Sequence, residues 1–306
     1  MKNEAFEKIR ETSGVLVNSD QLEAERKKAE DLLVESGKAA ERLALINLLS
    51  GNVGFSVFGS ARFKEGSLEY EFYRNLAASI VMACRENISI ITGGAFGVMG
   101  AAGKGAREII DLRNLSNSEV LGIRVDLPFE ETDNPDLTKL IEAVTFGTRL
   151  DLFWANSLGG VYMGEGGIGT NLEMAFMLQL LQVEHLPKDM PLIFHPRWQE
   201  LLDTLDKICY TNRLDEGLTP TISKGDMNPI EFMDHHDDIA QLVQDWHMSL
   251  MRILEKVANT DKQLVYDEDA GFYIPAEDYK HALHVAVDDN DSLSRFRKKV
   301  ANFTNY

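Results

Sequence analysis

Short apolar runs alternate with longer amphipathic segments through the middle of the chain. Six of these runs have the length of buried strands: Val53–Phe58, Ile88–Ile91, Val120–Val125, Ala143–Phe146, Leu158–Met163 and Pro191–Phe194. Between the first two, Leu68, Phe72, Leu76 and Ile80 recur at helical spacing and predict a helix over Ser67–Arg85. Short apolar strands that alternate with helices form parallel sheets covered on both faces. The pattern therefore predicts an α/β fold with a doubly wound, mostly parallel, Rossmann-like sheet.

The two ends of the chain follow a different pattern. Residues 1–52 are polar and favour helix, with leucines gathering toward the end of the segment. Residues 211–306 look mostly helical, most clearly over Ile239–Val257, where apolar residues keep a helical period. We therefore predict a helical N-terminal extension (1–52), a Rossmann-like nucleotide-binding core (53–210) and a mostly helical C-terminal extension (211–306).

Glycine-rich loops follow three of the predicted strands. They are Gly59-Ser60-Ala61-Arg62, Thr92 to Gly100, and Gly164 to Gly169, the last followed by a predicted helix over Asn171–Glu184. Glycine lets the backbone approach a ligand closely, and the free N–H groups at a helix start favour an anion. Because open α/β sheets bind ligands at the carboxyl ends of their strands, the three loops together predict a nucleotide-like ligand. Glycines that only serve tight turns are the simpler alternative.

Three charged residues stand near these loops. Arg62 follows the first loop and is a candidate phosphate ligand, since a guanidinium can grip two oxygens at once. Arg149 lies near the start of a helix predicted from about Thr148, where a surface arginine is the default interpretation. Glu173 has two interpretations that the sequence leaves even. It can face the ligand, or it can form a capping box with Thr170 at the helix start.

Several classes of protein are disfavoured. The first loop lacks the G-x-G-x-x-G of dinucleotide-binding proteins, and no G-x-x-x-x-G-K-[ST] sequence occurs, so neither a dehydrogenase nor a Walker-type triphosphatase is supported. With 31 basic and 49 acidic residues the formal charge is −18, which argues against nucleic-acid and membrane partners. His235-His236 and the neighbouring aspartates converge poorly on one ion, so we expect no metal site. No apolar stretch has the length of a signal peptide or membrane span, and we expect a cytoplasmic protein.

The order of these motifs resembles the LONELY GUY (LOG) family. The resemblance runs from Val57-Phe58-Gly59-Ser60-Ala61-Arg62 through Thr92–Gly100 and Leu127-Pro128-Phe129-Glu130 to Arg149 and Gly166–Glu173, and covers about half of the chain, Val53 to Tyr210. It implies a nucleoside 5′-monophosphate phosphoribohydrolase, which hydrolyses the N-glycosidic bond to free base and ribose 5-phosphate. It also implies at least a homodimer, and no metal or cofactor.

The resemblance assigns roles to individual residues. The family's catalytic arginine and glutamate fall on Arg149 and Glu173. Substrate and phosphate binding fall on the glycine loops: Gly59, Ser60, Arg62, Gly93, Gly94, Gly97, Met99, Gly166, Gly167, Gly169 and Thr170. The chain departs from the family pattern at Glu165, where the family has proline, at Leu150, which replaces a lysine, and at Ala95, which replaces a glycine. A catalytically silent nucleotide-binding or carrier protein on the same fold is the alternative function.

Overall fold

The computed structural model describes residues 27, 52–85, 87–125, 134–183, 186–187, 189–260, 264–267 and 272–275 of the 306-residue chain. The chain divides into two compact units, Met1–Ala39 and Ala40–Tyr306, and every element described below belongs to the second. The helices predicted within residues 1–52 lie outside the described residues, except for Lys27, which is helical.

A parallel sheet of seven strands is the centre of this second unit. Its strands are β1 (Val53–Phe58), β2 (Ile88–Thr92), β3 (Val120–Val125), β4 (Lys139–Ala143), β5 (Gly160–Met163), β6 (Leu192–Phe194) and β7 (Ile230–Phe232). They lie in the order β4-β3-β2-β1-β5-β6-β7, and each neighbouring pair is parallel. Two further strands, β8 (Leu264–Asp267) and β9 (Phe272–Pro275), form a separate antiparallel pair.

Helices connect the strands. They are α1 (Leu68–Cys84), α2 (Val98–Arg113), α3 (Phe146–Asn156), α4 (Ile168–Gln182), α5 (Gln199–Asp206), α6 (Asn212–Asp215) and α7 (His236–Thr260). A 3-10 turn, Pro196–Trp198, precedes α5, and a π-helical turn, Lys207–Thr211, follows it. None of the helices in the described part of the chain is long and apolar enough to cross a membrane.

The strand order defines a crevice in the middle of the sheet. From β1 the chain first builds β2, β3 and β4 on one side and then returns to place β5 on the other side of β1. Such a reversal is the switch point at which doubly wound sheets bind ligands, beyond the carboxyl ends of the strands. The loops after β1, β2 and β5 stand side by side there, and these are the three glycine loops. The predicted fold class is confirmed.

The core lies in the central strands. All residues of β1, β2, β5 and β6 are buried, as expected for parallel strands covered by helices on both faces. Helix α1 packs against α2 and α7. The contact between α1 and α2 is close, because a Cβ atom on Gly105 of α2 would lie 1.9 Å from the carbonyl oxygen of Arg74 on α1. Any larger residue at position 105 would push the two helices apart.

Some predicted elements are placed differently. The strand predicted at Ala143–Phe146 is β4, Lys139–Ala143, and α3 begins at Phe146 rather than near Thr148. Helix α4 begins at Ile168 and not at Asn171. Strand β7 and the pair of β8 and β9 lie in the part predicted to be mostly helical. Because β7 continues the main sheet, that sheet extends past residue 210. The division of the chain at residues 52 and 210 stays a prediction.

Candidate functional site

Backbone hydrogen bonds join the three glycine loops. The Ser60 N–H in the first loop donates to the Glu165 carbonyl in the third at 2.8 Å, and the Val98 N–H at the start of α2 donates to the Ser60 carbonyl at 2.9 Å. The Gly164 N–H donates to the carbonyl of Phe58, the last residue of β1, at 2.9 Å. The loops are therefore one connected structure at the carboxyl ends of β1, β2 and β5.

Gly97 in the second loop allows this close approach. Its φ is +68°, a backbone conformation that residues other than glycine rarely adopt, and a Cβ atom there would lie 2.3 Å from the Ser60 carbonyl oxygen. Gly59 makes a similar contact, since its Cβ would lie 2.7 Å from the side chain of Val98. The Gly94 N–H donates to Thr92 Oγ1 at 3.2 Å, which fixes the turn after β2. These glycines bring the first and second loops together.

The second loop also contacts Arg149, which lies in the first turn of α3. A Cβ atom on Gly93 would lie 2.4 Å from Arg149 Nη2 and 2.5 Å from Met99 Sδ, so the guanidinium and the thioether occupy the space that a larger residue would fill. Arg149 Nε donates to the Ile123 carbonyl of β3 at 3.0 Å, and Cζ lies 5.1 Å from the centre of the Phe153 ring. The Arg149 side chain is 16% exposed and is held in one orientation.

Glu173 lies opposite this arginine, on the second turn of α4. Its Oε1 is 3.6 Å from Arg149 Nη2, and its side chain is only 10% exposed. Burial raises the pKa of the Glu173 carboxyl to about 7, and the nearby charge of Arg149 limits that rise. A carboxyl group with such a pKa exists in both protonation states near neutral pH, which suits a group that stabilises charge or moves a proton.

The capping-box interpretation of Glu173 does not hold. A capping box needs Thr170 before the first helical residue, but α4 begins at Ile168 and its N-cap is Gly167, which has no side chain to form a capping hydrogen bond. Thr170 is instead buried in the first turn, where its Oγ1 would lie 2.1 Å from a Cβ atom on Gly166. Thr170 therefore packs on Gly166, and Glu173 is not used to cap its own helix.

The described residues leave space at the start of α4. None of them lies within 4 Å of a Cβ atom placed on Gly167 or Gly169. The first N–H groups of a helix have no partner within the helix, and the positive end of its dipole favours an anion. The N-terminus of α4 thus offers backbone donors and free room one turn from Glu173.

Among the predicted site residues, the structure does not connect the side chain of Arg62 with Arg149, Glu173 or the glycine loops. It lies exposed in the turn after β1, where its backbone N–H donates to Ser60 Oγ at 3.2 Å. Among the described residues its guanidinium has no hydrogen bond or ion pair. A role of Arg62 in phosphate binding stays a prediction.

A group of residues behind the third loop was not among the predicted site residues. The Glu165 carboxylate pairs with Arg197 and lies 3.7 Å from His195 Nε2. The Glu165 N–H donates to the Tyr73 hydroxyl at 2.7 Å, and Trp198 Nε1 donates to the Gly164 carbonyl at 2.9 Å. Burial lowers the pKa of His195, and the nearby charge of Glu165 partly offsets this decrease. The charge of Glu165 is therefore partnered on the side of β6.

A sequence signal for part of this group exists. His195, Arg197 and Trp198 directly follow the predicted strand that ends at Phe194, at the same edge of the sheet as the glycine loops. Tyr73 carries no such signal, because it lies in the interior of a helix. A metal site finds no support among the described residues, which contain no group of three or more histidine, cysteine or acidic side chains suited to hold an ion.

Comparison with known proteins gives similarity of fold only. No protein-family model matches the sequence, and no curated protein matches it significantly. The X-ray structure of TM1055, a structural genomics target, is 20% identical over 63% of this chain and 99% of its own, with a TM-score of 0.42. The Moco carrier protein from Chlamydomonas reinhardtii is 17% identical over 65% of this chain and 99% of its own, with a TM-score of 0.40.

The molybdenum cofactor binding protein from the phototrophic bacterium Rippkaea orientalis is 16% identical over 63% of this chain and 94% of its own, with a TM-score of 0.41. Identities this low do not place the chain in a family, and the resemblance to the LOG family stays a prediction. The described residues define a class: a doubly wound α/β protein with glycine loops and, at its switch point, a half-buried arginine beside a buried glutamate.

Proposed function

We propose that this protein is a nucleoside 5′-monophosphate phosphoribohydrolase that uses Arg149 and Glu173. The observation that carries the proposal is the buried carboxyl of Glu173, 3.6 Å from Arg149 Nη2 and one turn from the open, glycine-capped start of α4. An anion-binding site beside a buried carboxyl suits a ligand in which a phosphate is attached to a sugar. A nucleotide has this arrangement.

The phosphate is proposed to bind at the start of α4. The N–H groups of Ile168, Gly169 and Thr170 lie in the first turn of α4 and have no acceptor within the helix, and the described residues leave space around Gly167 and Gly169 in the same turn. The overall charge of −18 makes such local donors necessary for an anionic ligand. Because Arg197 pairs with the Glu165 carboxylate, that carboxylate opposes a bound phosphate less than an unpaired one would.

The chemistry proposed is hydrolysis at the anomeric carbon of the ribose. As the C–N bond to the base breaks, positive charge develops on the sugar, and the ionised Glu173 stabilises it and positions a water molecule. The water oxygen bonds to the anomeric carbon and gives up a proton, and the departing base takes up a proton, so that the products are free base and ribose 5-phosphate. Arg149 orients the ligand or assists the departure of the base. Binding energy from the phosphate helps to align the sugar for cleavage.

The test is release of free base from a panel of nucleoside 5′-monophosphates, separated by chromatography. We expect Glu173→Gln and Arg149→Ala each to lower the rate by about 100-fold or more, since each removes a group that acts in the transition state. Glu231→Gln, which changes an exposed carboxyl on β7, is the matched control and should keep the rate. The rate should rise as pH passes through about 7, because Glu173 must be ionised. The proposed hydrolase activity would be refuted if none of the nucleotides released free base.

The second candidate is a nucleotide-binding or carrier protein without catalysis. The small exposure of Glu173, 10% of its side chain, favours it, because a catalytic carboxylate has to reach the anomeric carbon. A protonated Glu173 could serve as a hydrogen-bond donor to a bound ligand instead. This candidate predicts tight nucleotide binding by calorimetry with no free base, and binding that survives in Glu173→Gln because glutamine also donates.

We also propose that the protein is at least a homodimer. The support is a set of exposed apolar side chains near the candidate site, Phe96, Phe146 and Ile168, of which Ile168 is 88% exposed. Light scattering coupled to gel filtration measures the mass directly. The mass of a single chain, 34.3 kDa, at micromolar concentration would contradict the proposal.

A further inference from the structure

The third glycine loop has two halves that differ in their hydrogen bonding. In the first half, the N–H and the carbonyl of both Gly164 and Glu165 have partners. In the second half, neither the Gly166 N–H nor the Gly167 N–H donates to another described residue, and the helix that follows starts with N–H groups that have no acceptor within it. The donors that are free for a ligand therefore begin directly after two residues whose backbone groups are all bonded.

Two of the bonds to the first half come from side chains on two different elements. The Tyr73 hydroxyl on α1 accepts from the Glu165 N–H at 2.7 Å, and Trp198 Nε1 in the 3-10 turn after β6 donates to the Gly164 carbonyl at 2.9 Å. Both side chains belong to buried residues. Helix α1 and the turn after β6 are thus each connected to this loop by the one polar atom of a buried aromatic side chain.

Aromatic packing fixes the position of the Tyr73 hydroxyl. The Tyr73 ring packs edge to face with Phe72 and Tyr162, at 5.1 Å and 6.1 Å between ring centres, and is stacked on Phe63 at 6.2 Å. A Cβ atom on Gly164 would lie 2.8 Å from the hydroxyl oxygen, so the backbone of the loop lies directly against it. Since the ring contacts do not need the hydroxyl, phenylalanine at position 73 would keep the packing and remove only the bond to the loop.

Buried tyrosine and tryptophan side chains usually find a partner for their polar atom, and here both partners are adjacent residues of the loop that leads to the free donors. We propose that Tyr73 and Trp198 are positioning residues for the phosphate. They hold Gly164 and Glu165 so that the N–H groups from Gly166 to the first turn of α4 keep one arrangement before the ligand binds. A loop that is already ordered spares the ligand the free energy of ordering it. This inference rests on the phosphate site of the proposed function.

Isothermal titration calorimetry with ribose 5-phosphate, a product of the proposed reaction, tests the inference without requiring catalysis. Tyr73→Phe and Trp198→Phe each remove one hydrogen bond to the loop and touch no group that would contact the ligand. Each should weaken the binding of ribose 5-phosphate about five- to tenfold, the effect of one hydrogen bond. Because neither substitution changes a charge, the fold-change should be the same at low and high salt.

The chain offers a matched control for each variant. The Tyr162 hydroxyl donates to the Met233 carbonyl at 3.1 Å, and Trp246 Nε1 donates to the Leu158 carbonyl at 2.7 Å. Both residues are buried, and neither bond reaches the third loop. Tyr162→Phe and Trp246→Phe should therefore lower the free energy of unfolding in urea about as much as the two loop variants, and leave the binding of ribose 5-phosphate unchanged.

The outcomes separate this inference from the proposed function. Full affinity for ribose 5-phosphate in either Tyr73→Phe or Trp198→Phe, or equal weakening by a loop variant and its control, would overturn the positioning role alone. No binding of ribose 5-phosphate to the unsubstituted protein would overturn the phosphate site together with it. Weaker binding in the two loop variants only, at similar stability of all four, is the result that supports the inference.

Discussion

Replacing Glu173 by glutamine keeps the shape of the side chain and removes a buried ionisable group. The carboxyl of Glu173 is almost fully buried on α4, and burial raises its pKa from the usual 4.5 to about 7. The folded protein therefore loses stability when this group ionises. We expect Glu173→Gln to be more stable than the unsubstituted protein above pH 7, although it should be inactive.

The magnitude follows from the pKa difference. A rise from 4.5 to about 7 corresponds to about 3 kcal/mol, at 1.36 kcal/mol for each pKa unit. Below pH 4.5 the carboxyl is protonated in both the folded and the unfolded chain, and no loss occurs. Between these pH values the folded protein binds more protons than the unfolded chain, so the free energy of unfolding falls as pH rises. Above about pH 7 the loss is complete.

The assay is urea unfolding of both proteins near pH 5 and near pH 8, because most of the expected change in stability lies between these two pH values. From the lower to the higher pH, the unsubstituted protein should lose about 2–3 kcal/mol relative to Glu173→Gln. Burial lowers the pKa of His195 and His247, which gives the opposite pH dependence. Because both proteins contain these histidines, their contribution cancels in the comparison. Glu231→Gln, an exposed change, is the control.

Equal changes in stability for the unsubstituted protein and Glu173→Gln between the two pH values would refute the reasoning. Such a result would mean that the carboxyl titrates alike in the folded and unfolded chain. The neighbouring charge of Arg149 would then offset the effect of burial completely.

Two other substitutions test the surroundings of the site. Arg197→Ala leaves the Glu165 carboxylate without its arginine partner and should weaken nucleotide binding, measured by calorimetry, about two- to tenfold at low salt. The effect should be smaller at high salt, and smaller in the double variant with Glu165→Gln. A loss independent of salt would contradict this. Gly97→Ala should lower the free energy of unfolding by about 3 kcal/mol, because its φ is positive and the added Cβ would clash with the first loop. Gly217→Ala is the control and should cost about 1 kcal/mol, since its φ is also positive but no described residue lies within 4 Å of the added Cβ. Equal losses in urea unfolding would show that the contact with the first loop is unimportant.

The central strands could be predicted from the sequence and the edge strands could not. β1 and β3 have the predicted bounds, since strands covered on both faces are continuous apolar runs. β4 lies at the edge and has two exposed charged residues, Lys139 and Glu142, among its five, whereas Val144, in the run predicted to be this strand, is 89% exposed. β7 has only three residues, and its pairing with β6 determines it. Tertiary contacts decide these elements, and the local pattern does not contain them.

Helix α1 shows the same limit at the level of single side chains. Its bounds follow the prediction closely, with Ser67 as the N-cap, but Leu68, which the apolar repeat predicts to be buried, is 89% exposed. The buried face includes Tyr73, whose hydroxyl reaches the Glu165 N–H. An apolar repeat shows that a helix is amphipathic, but it does not indicate which polar atoms the helix brings to a distant loop.

The candidate site was predictable in its location and only partly in its composition. Glycine loops at the carboxyl ends of strands indicate the ligand edge of a parallel sheet from the sequence alone. The pairing of Arg149 with Glu173 depends on where α3 and α4 pack, and the only indication of it in the sequence is the resemblance to a known family. The same packing excludes the capping box at Glu173, because it fixes the first residue of α4.

Glu165 shows why a departure from a family pattern has to be considered with its neighbours. A proline at this position, as in the LOG pattern, has no N–H and could not donate to the buried hydroxyl of Tyr73. It would also leave Arg197 without its carboxylate. The glutamate supplies the third loop with a backbone donor toward α1 and a charge toward β6. Tyr73, Glu165 and Arg197 therefore depend on one another, and changing Glu165 alone to proline should loosen the loop instead of restoring it.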